Sequence, residues 1–150
     1  MSVLFDRRLW DRSHSGSSPL AYTGIAALLA QETEGISAGT IVGFILATQC
    51  AGEMTHDSLY EHSDTGETLC VHSVCVDPRL RRRGLALDML RHYMRTVGQA
   101  LADQGVIRCA ALMSRPHLTA LYAGAGFVDK GPSPIVHGAD PWVDMRVEYR

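Results

Sequence analysis

The chain predicts an α/β (α+β) domain on a mixed, mostly antiparallel sheet with helices on both faces, and three observations carry that prediction. Thr68–Val76 (TLCVHSVCV) is an unbroken run of apolar and β-branched residues, the pattern of a buried strand. Directly after it, Leu87, Leu90, Met94, Val97 and Leu101 recur at helical spacing and mark a long amphipathic helix reaching about Gln104. The other apolar runs are short and bounded by glycine- and proline-containing turns, which makes them strands around that unit.

Taken in order, Met1–Pro19 is rich in arginine and serine, and its Ser13–Ser18 stretch (SHSGSS) reads as a loop or a loose arm. Thr23–Glu32 is apolar enough for a strand, Gly35–Gly39 is a turn, and Thr40–Gln49 (TIVGFILATQ) completes a hairpin. Gly52–Gly66 is polar and reads as a loop. After the strand and long helix come a strand at Val106–Met113 (VIRCAALM) and a short helix around His117–Ala125. Two closing strands fall around Pro134–His137 and Trp142–Tyr149, divided by Gly138-Ala139-Asp140-Pro141. The order β-β-β-α-β-α-β-β is that of a mixed sheet with packed helices.

With 150 residues, no internal repeat and no low-complexity linker, the chain is expected to form one domain over 1–150, with 1–19 as its loose part. A net charge of −2 argues against nucleic acid or an anionic membrane as the main partner. No apolar stretch approaches membrane-spanning length. Cys50, Cys70, Cys75 and Cys109 are scattered without a C-x-x-C pair, so buried reduced thiols in a cytoplasmic protein are expected rather than disulfides or zinc. His56 and His62 share a loop with Asp57, Glu61 and Asp64, but no spacing there supports a metal site.

The chemistry is concentrated where the strand meets the helix, at Arg81-Arg82-Arg83-Gly84-Leu85-Ala86. A helix's first turn carries unpaired N–H groups and the positive end of its dipole, and small residues let an anion approach that backbone. The helix end alone would favour acids, so Arg79, Arg81, Arg82 and Arg83 point to a polyphosphate ligand. Neither a G-x-x-x-x-G-K-[ST] loop nor the three-glycine dinucleotide spacing is present, which argues against a nucleoside triphosphate or NAD in its usual mode.

Val74-Cys75-Val76-Asp77-Pro78 followed by Arg81-x-x-Gly84-x-Ala86 resembles motif A of the GNAT superfamily of acetyl-CoA-dependent N-acetyltransferases. Leu121-Tyr122-Ala123-Gly124-Ala125-Gly126-Phe127 resembles that superfamily's LYxxxGF helix end, so the likeness covers Thr68–Phe127. Within the superfamily it is most similar to the arylalkylamine (serotonin) N-acetyltransferases. They share a histidine just before the motif, a methionine closing the next strand (Met113), and the spacing from there to Tyr122. Most other branches carry an asparagine where this chain has Ser114-Arg115-Pro116-His117.

The resemblance implies acetyl-CoA as cofactor, a small primary amine such as serotonin, tryptamine or tyramine as acceptor, and a monomer or homodimer. Polyamine or peptide acetylation, and a non-catalytic acyl-CoA-binding module, are the alternatives. His72 would deprotonate the amine through water, and Tyr122, with an ordinary phenol pKa of about 10, would protonate the departing thiolate. His72 is expected on one strand face with Cys70, Val74 and Val76. Cys70 stands where the family often has a second histidine, so His72 would act alone or with another group. The Val74 N–H or its neighbour would hold the oxyanion, freed by a break in strand pairing after the motif. The pantetheine would pair with Val74, Cys75 and Val76 as an added strand. The pyrophosphate would lie on the N–H groups of Arg82, Arg83, Gly84, Leu85, Ala86 and Leu87, with Arg81 beside them.

Met113 and His137 are the expected substrate contacts, with Pro134, Ile135 and Trp142 giving a broad apolar pocket. His92 falls on the helix's outer face. One departure stands out. The superfamily places a strand and one or two helices before the hairpin, where only about twenty residues are found. Either Leu4–Trp10 is an abbreviated first element or the acceptor half is shortened.

Overall fold

The structure, a computed structural model, describes residues 3–9, 26–32, 40–59 and 62–149. Among these residues seven strands form one sheet in the order β1-β2-β3-β4-β5-β7-β6. They are β1 (Val3–Leu9), β2 (Ala26–Glu32), β3 (Ile41–Cys50), β4 (Thr68–Val76), β5 (Cys109–Ser114), β6 (Val128–Pro132) and β7 (Val143–Glu148). Among the described residues only β4 and β5 pair in parallel. Parallel neighbours need a crossover, and here it is the long helix: α1 (Leu85–Tyr93), a π turn (Met94–Gly98) and α2 (Gln99–Asp103). The short helix α3 (Thr119–Gly124) follows β5.

The helical spacing seen in the sequence becomes a core. Leu85, Met89, Leu90, Tyr93 and Val97 are buried with Ile45 and Ala47 of β3 and Leu69 and Val71 of β4. Each buried Leu, Ile, Val or Met among them contributes about 1.5–3 kcal/mol by leaving water. Gly43 makes the contact close, because a Cβ there would meet Met89 Sδ at 2.8 Å and the Cys75 carbonyl at 2.9 Å. Among the described residues the helices longer than one turn are those of the crossover and α3, and α1 and α3 share the core side of the sheet. These two pack on each other, with Leu87 against Gly124 and Arg91 Nε donating to the Gly124 carbonyl at 3.0 Å.

Four expectations change. Val3–Leu9 is a strand paired to β2, so this part of 1–19 is an abbreviated first element and not an arm; residues 10–25 and the turn at 35–39 lie outside the described residues. β5 starts at Cys109 instead of Val106, because Val106 closes the preceding helix: its N–H bonds the Leu101 carbonyl at 2.9 Å across Gly105, at φ 69°. The penultimate strand is Val128–Pro132 instead of Pro134–His137. Buried Phe127 leads directly into it, and Val128 and Asp129 pair with Arg146 and Met145.

The fourth change bears on the site. Leu46 pairs with Ser73 but Ala47 pairs with Val71, so His72 is the extra residue of a β-bulge. The bulge reverses the alternation. His72 shares a face with Cys70, while Val74 and Val76 turn to the opposite, core face with Leu69 and Val71.

Candidate active site

β4 pairs with β5 only through Thr68–Cys70, opposite Cys109–Ala111, although β5 continues to Ser114 against β7. Val71–Val76 therefore have no partner on the β5 side among the described residues. The break in pairing lies inside β4, before the Val74–Val76 motif, and not after it as the sequence suggested. The open edge leads straight into the basic turn. Asp77 caps this turn, accepting the Arg79 N–H at 2.9 Å and the Arg79 guanidinium. Those bonds hold the Asp77 carboxyl down at about 2. Arg81 Nε donates back to the Val76 carbonyl at 3.0 Å. Two of the four arginines are thus engaged in shaping the turn, while Arg82 and Arg83 are exposed.

Arg82 (φ 61°) and Gly84 (φ 85°) both adopt left-handed backbone, a conformation that costs an ordinary residue about 1–2 kcal/mol. Alternation of this kind folds N–H groups into an anion-binding concavity. The bond from Asp88 N–H to the Gly84 carbonyl, at 3.1 Å, leaves the earlier N–H groups of α1 as an unpartnered first turn. A groove of about 900 Å³ continues from there along α1 to Gly124–Gly126, lined by Arg83, Arg91 and Arg95. An open strand edge, a concave turn and a basic groove in sequence suit a long ligand that carries amides and phosphates.

His72 sits at the start of the open edge. Its Nε2 is hydrogen-bonded to Thr48 Oγ1 on β3, and its buried Nδ1 has no protein partner. Burial lowers its pKa below the usual 6.5, so the ring is neutral at pH 7. Cys70, two residues earlier, lies 2.7 Å from Cys50, sulfur to sulfur. The hydrogen bond with Cys50 and burial push the Cys70 thiol far up, whereas the same bond brings Cys50 down to about 7. Cys70 thus stays protonated and cannot replace a second basic histidine. Three thiols are buried and unpaired, but Cys75 is exposed on the open edge.

Tyr122 of α3 meets Phe127 edge-on at 6.2 Å. Burial, and secondarily the charge of a Cys75 thiolate, raise its pKa above 10, keeping the phenol protonated. Its hydroxyl has no hydrogen-bond partner among the described residues and remains available as a donor.

On the face of the sheet that carries His72, the residues 51–58 and 133–142 come together. His137 packs against Trp142 at 5.8 Å and His56 at 6.2 Å, and the Arg115 guanidinium lies 4.3 Å over the Trp142 ring. Trp142 Nε1 donates to the His137 carbonyl at 2.6 Å. Met113 Sδ accepts from Ser133 Oγ at 3.5 Å. Of the residues expected to wall an apolar acceptor pocket, only Pro134 lines the nearby cavity. That cavity, about 480 Å³, combines Met54, Ala111, Leu112 and Met145 with Glu53, Lys130, Asp144, Arg146 and Glu148, because alternate residues of β7 put charge on this face. His62 is structural: its Nδ1 accepts the Gln49 N–H at 3.1 Å. Among the described residues no cluster could hold a metal ion, and no helix is long and apolar enough to cross a membrane.

Thr48 had no signal in the sequence, because its pairing with β4 is set across a long polar loop. Comparison with known proteins agrees with this geometry. The profile of the Acetyltransferase (GNAT) family matches residues 7–127. A serotonin N-acetyltransferase from Mesocricetus auratus is 27% identical over 113 residues, which cover 75% of this chain and 53% of the relative. The chain thus spans about half the length of that relative. A GNAT-family structure from Desulfovibrio desulfuricans superposes with a TM-score of 0.64 at 14% identity, covering 98% of this chain and 99% of the other. A Bacillus subtilis acetyltransferase in complex with CoA superposes with a TM-score of 0.57 at 10% identity, covering 84% and 78%. With most of its length matched by the family profile, and with the motif strand, turn and helix in place, the chain belongs to the GNAT acetyltransferase family.

Proposed function

We propose that the chain is an acetyl-CoA-dependent N-acetyltransferase acting on a small primary amine of the arylalkylamine type. The observation that carries this reading is the unpaired Val71–Val76 edge running into the concave Arg82–Gly84 turn. Acetyl-CoA supplies an activated thioester. The N–H groups of Arg82–Leu87 bind its pyrophosphate, with Arg82 and Arg83 adding screened charge. Val74, Cys75 and Val76 offer backbone groups to the pantetheine, once Arg81 gives up the Val76 carbonyl. A backbone N–H beside Val74 is the oxyanion donor.

His72, neutral at pH 7 and with a free ring nitrogen, takes the amine's proton through water. Tyr122, held protonated, returns a proton to the sulfur. His137 and Trp142 supply aromatic surface to the acceptor, and Met113 lies beneath them on the sheet. The free thiols suit a cytoplasmic setting.

A second reading has its own support. Glu53 and Asp144, with Glu148 paired to Arg146, leave the cavity on this face slightly acidic despite Lys130, which would favour an acceptor with a further positive charge, as in a polyamine. A thiol-release assay with acetyl-CoA and a panel of tryptamine, serotonin, tyramine, spermidine and a short peptide decides between them. The arylalkylamines should show the highest kcat/KM. Preference for spermidine would favour the second reading, and absence of turnover with every amine would leave only a CoA-binding module.

A further inference from the structure

We infer that Thr48 is a positioning residue for His72: anchored by the Ser58 carbonyl, its hydroxyl fixes the imidazole in the Nε2-protonated tautomer and leaves Nδ1, which has no protein partner, as the proton acceptor. The inference rests on His72 being the base.

Thr48 Oγ1 is buried and lies between two partners, the Ser58 carbonyl at 3.5 Å and His72 Nε2. A carbonyl oxygen can only accept, whereas an imidazole nitrogen can do either. The hydroxyl has one proton. Donated to Ser58, it leaves the Thr48 oxygen to accept Nε2–H, and the bare nitrogen is Nδ1. Donated to Nε2, it strands the proton on Nδ1, a buried N–H without a partner, which is unfavourable. The first arrangement leaves only an unfilled lone pair, which is what a base needs.

The anchor is itself held in place. Ser58 N–H donates to Thr55 Oγ1 at 3.2 Å, Thr55 N–H donates to Ser58 Oγ at 2.9 Å, and Ser58 Oγ donates to the Thr55 carbonyl at 2.9 Å. This reciprocal pair caps the short helix Asp57–Leu59, which packs against both β3 and β4. The bulge completes the geometry. Thr48 pairs directly with Cys70, and the extra residue on β4 brings His72 over the hydroxyl. The other titratable groups on this face are Cys70, Cys50 and Cys109 on the strands, Glu53, His56 and Asp57 before and in the short helix, Lys130 and His137 beyond β5, and Asp144, Arg146 and Glu148 on β7. Burial is the only cause that lowers the His72 pKa.

Long-range ¹⁵N–¹H correlation NMR on the full chain reads which nitrogen of His72 carries the proton. The wild type should show Nε2–H; Nδ1–H would overturn the inference. Thr48→Val should give mixed tautomers, shift the ascending limb of the pH profile and cut kcat roughly tenfold, less than the 10²–10⁴ of removing a base. KM for acetyl-CoA should hold, and Thr48→Ser, which keeps the hydroxyl, should restore tautomer and rate. An unchanged tautomer and pH limb in Thr48→Val would also overturn it. Should Thr48→Val fail to fold, the wild-type spectrum and Thr48→Ser still decide. Full activity in His72→Gln would remove the base reading alone, while the tautomer data would continue to judge Thr48.

Discussion

Replacing Gly84 separates backbone strain from anion binding. Gly84 has φ 85°, and a Cβ there would have only Asp88 Oδ2 nearby, at 4.0 Å. Gly84→Ala therefore meets no steric clash, only the left-handed backbone cost of about 1–2 kcal/mol. For a chain of this size each kcal/mol lowers Tm by about 2–4 °C, so a loss of roughly 2–8 °C is expected. Gly84→Glu carries the same strain and should melt with the alanine variant. It also places a carboxylate against the pyrophosphate. Two unit charges 4 Å apart repel by about 1 kcal/mol in bulk water and about 4 kcal/mol at an effective dielectric of 20. Relative to alanine, CoA affinity should fall at least about fivefold, and up to about a thousandfold, at 1.36 kcal/mol per decade. Calorimetry with CoA at low and high salt measures this, and salt should narrow the gap between the two variants. A glutamate variant that melts with alanine and binds CoA equally well would refute the placement of the phosphates at this turn.

Three further outcomes follow from the same geometry. Tyr122→Phe keeps the ring against Phe127 and should cost at most about 1 kcal/mol, but should lower kcat roughly 10- to 100-fold and move any alkaline limb; a normal kcat would make Tyr122 a packing residue. Burial depresses the His72 pKa, so the ascending limb of kcat/KM should fall below pH 6.5, and His72→Gln should abolish it and cost roughly 10²-fold. Because the folded state disfavours the imidazolium, the stability linked to His72 is complete above about pH 6.5. It is lost as pH falls through the lower folded pKa, and denaturant midpoints of His72→Gln should lack that drop. Gly98→Ala should destabilise by about 1–3 kcal/mol, since the Tyr149 hydroxyl fills the space a Cβ needs, and adding Tyr149→Phe should recover part of the loss in thermal melts.

The sequence made legible what repeats or is chemically distinctive. The α1 spacing, the buried β4 run and the arginine–glycine turn all stand where they were expected, because period and composition report them directly. β6 was misplaced since Val128–Pro132 (VDKGP) is mostly exposed at the sheet's edge and shows no alternation, whereas the apolar Pro134–His137 next to it is loop. The His72 bulge left no trace, because one added residue in a strand changes neither composition nor hydrophobicity, yet it decides which side chains share a face with His72. The engagement of Arg79 and Arg81 within the turn was equally hidden. Charge counts show how many guanidinium groups are present, not which are already bonded to Asp77 and the Val76 carbonyl.

The most direct test of the coenzyme site is a titration of the ¹⁵N-labelled chain with CoA, read as backbone amide shifts. The largest changes should fall on Arg82–Leu87, where helix N–H groups gain the pyrophosphate, and on Val74–Val76, where the open edge gains a partner. CoA that binds while those amides stay in place, with its shifts elsewhere on the sheet, would contradict the reading of the β4–α1 unit as the coenzyme site.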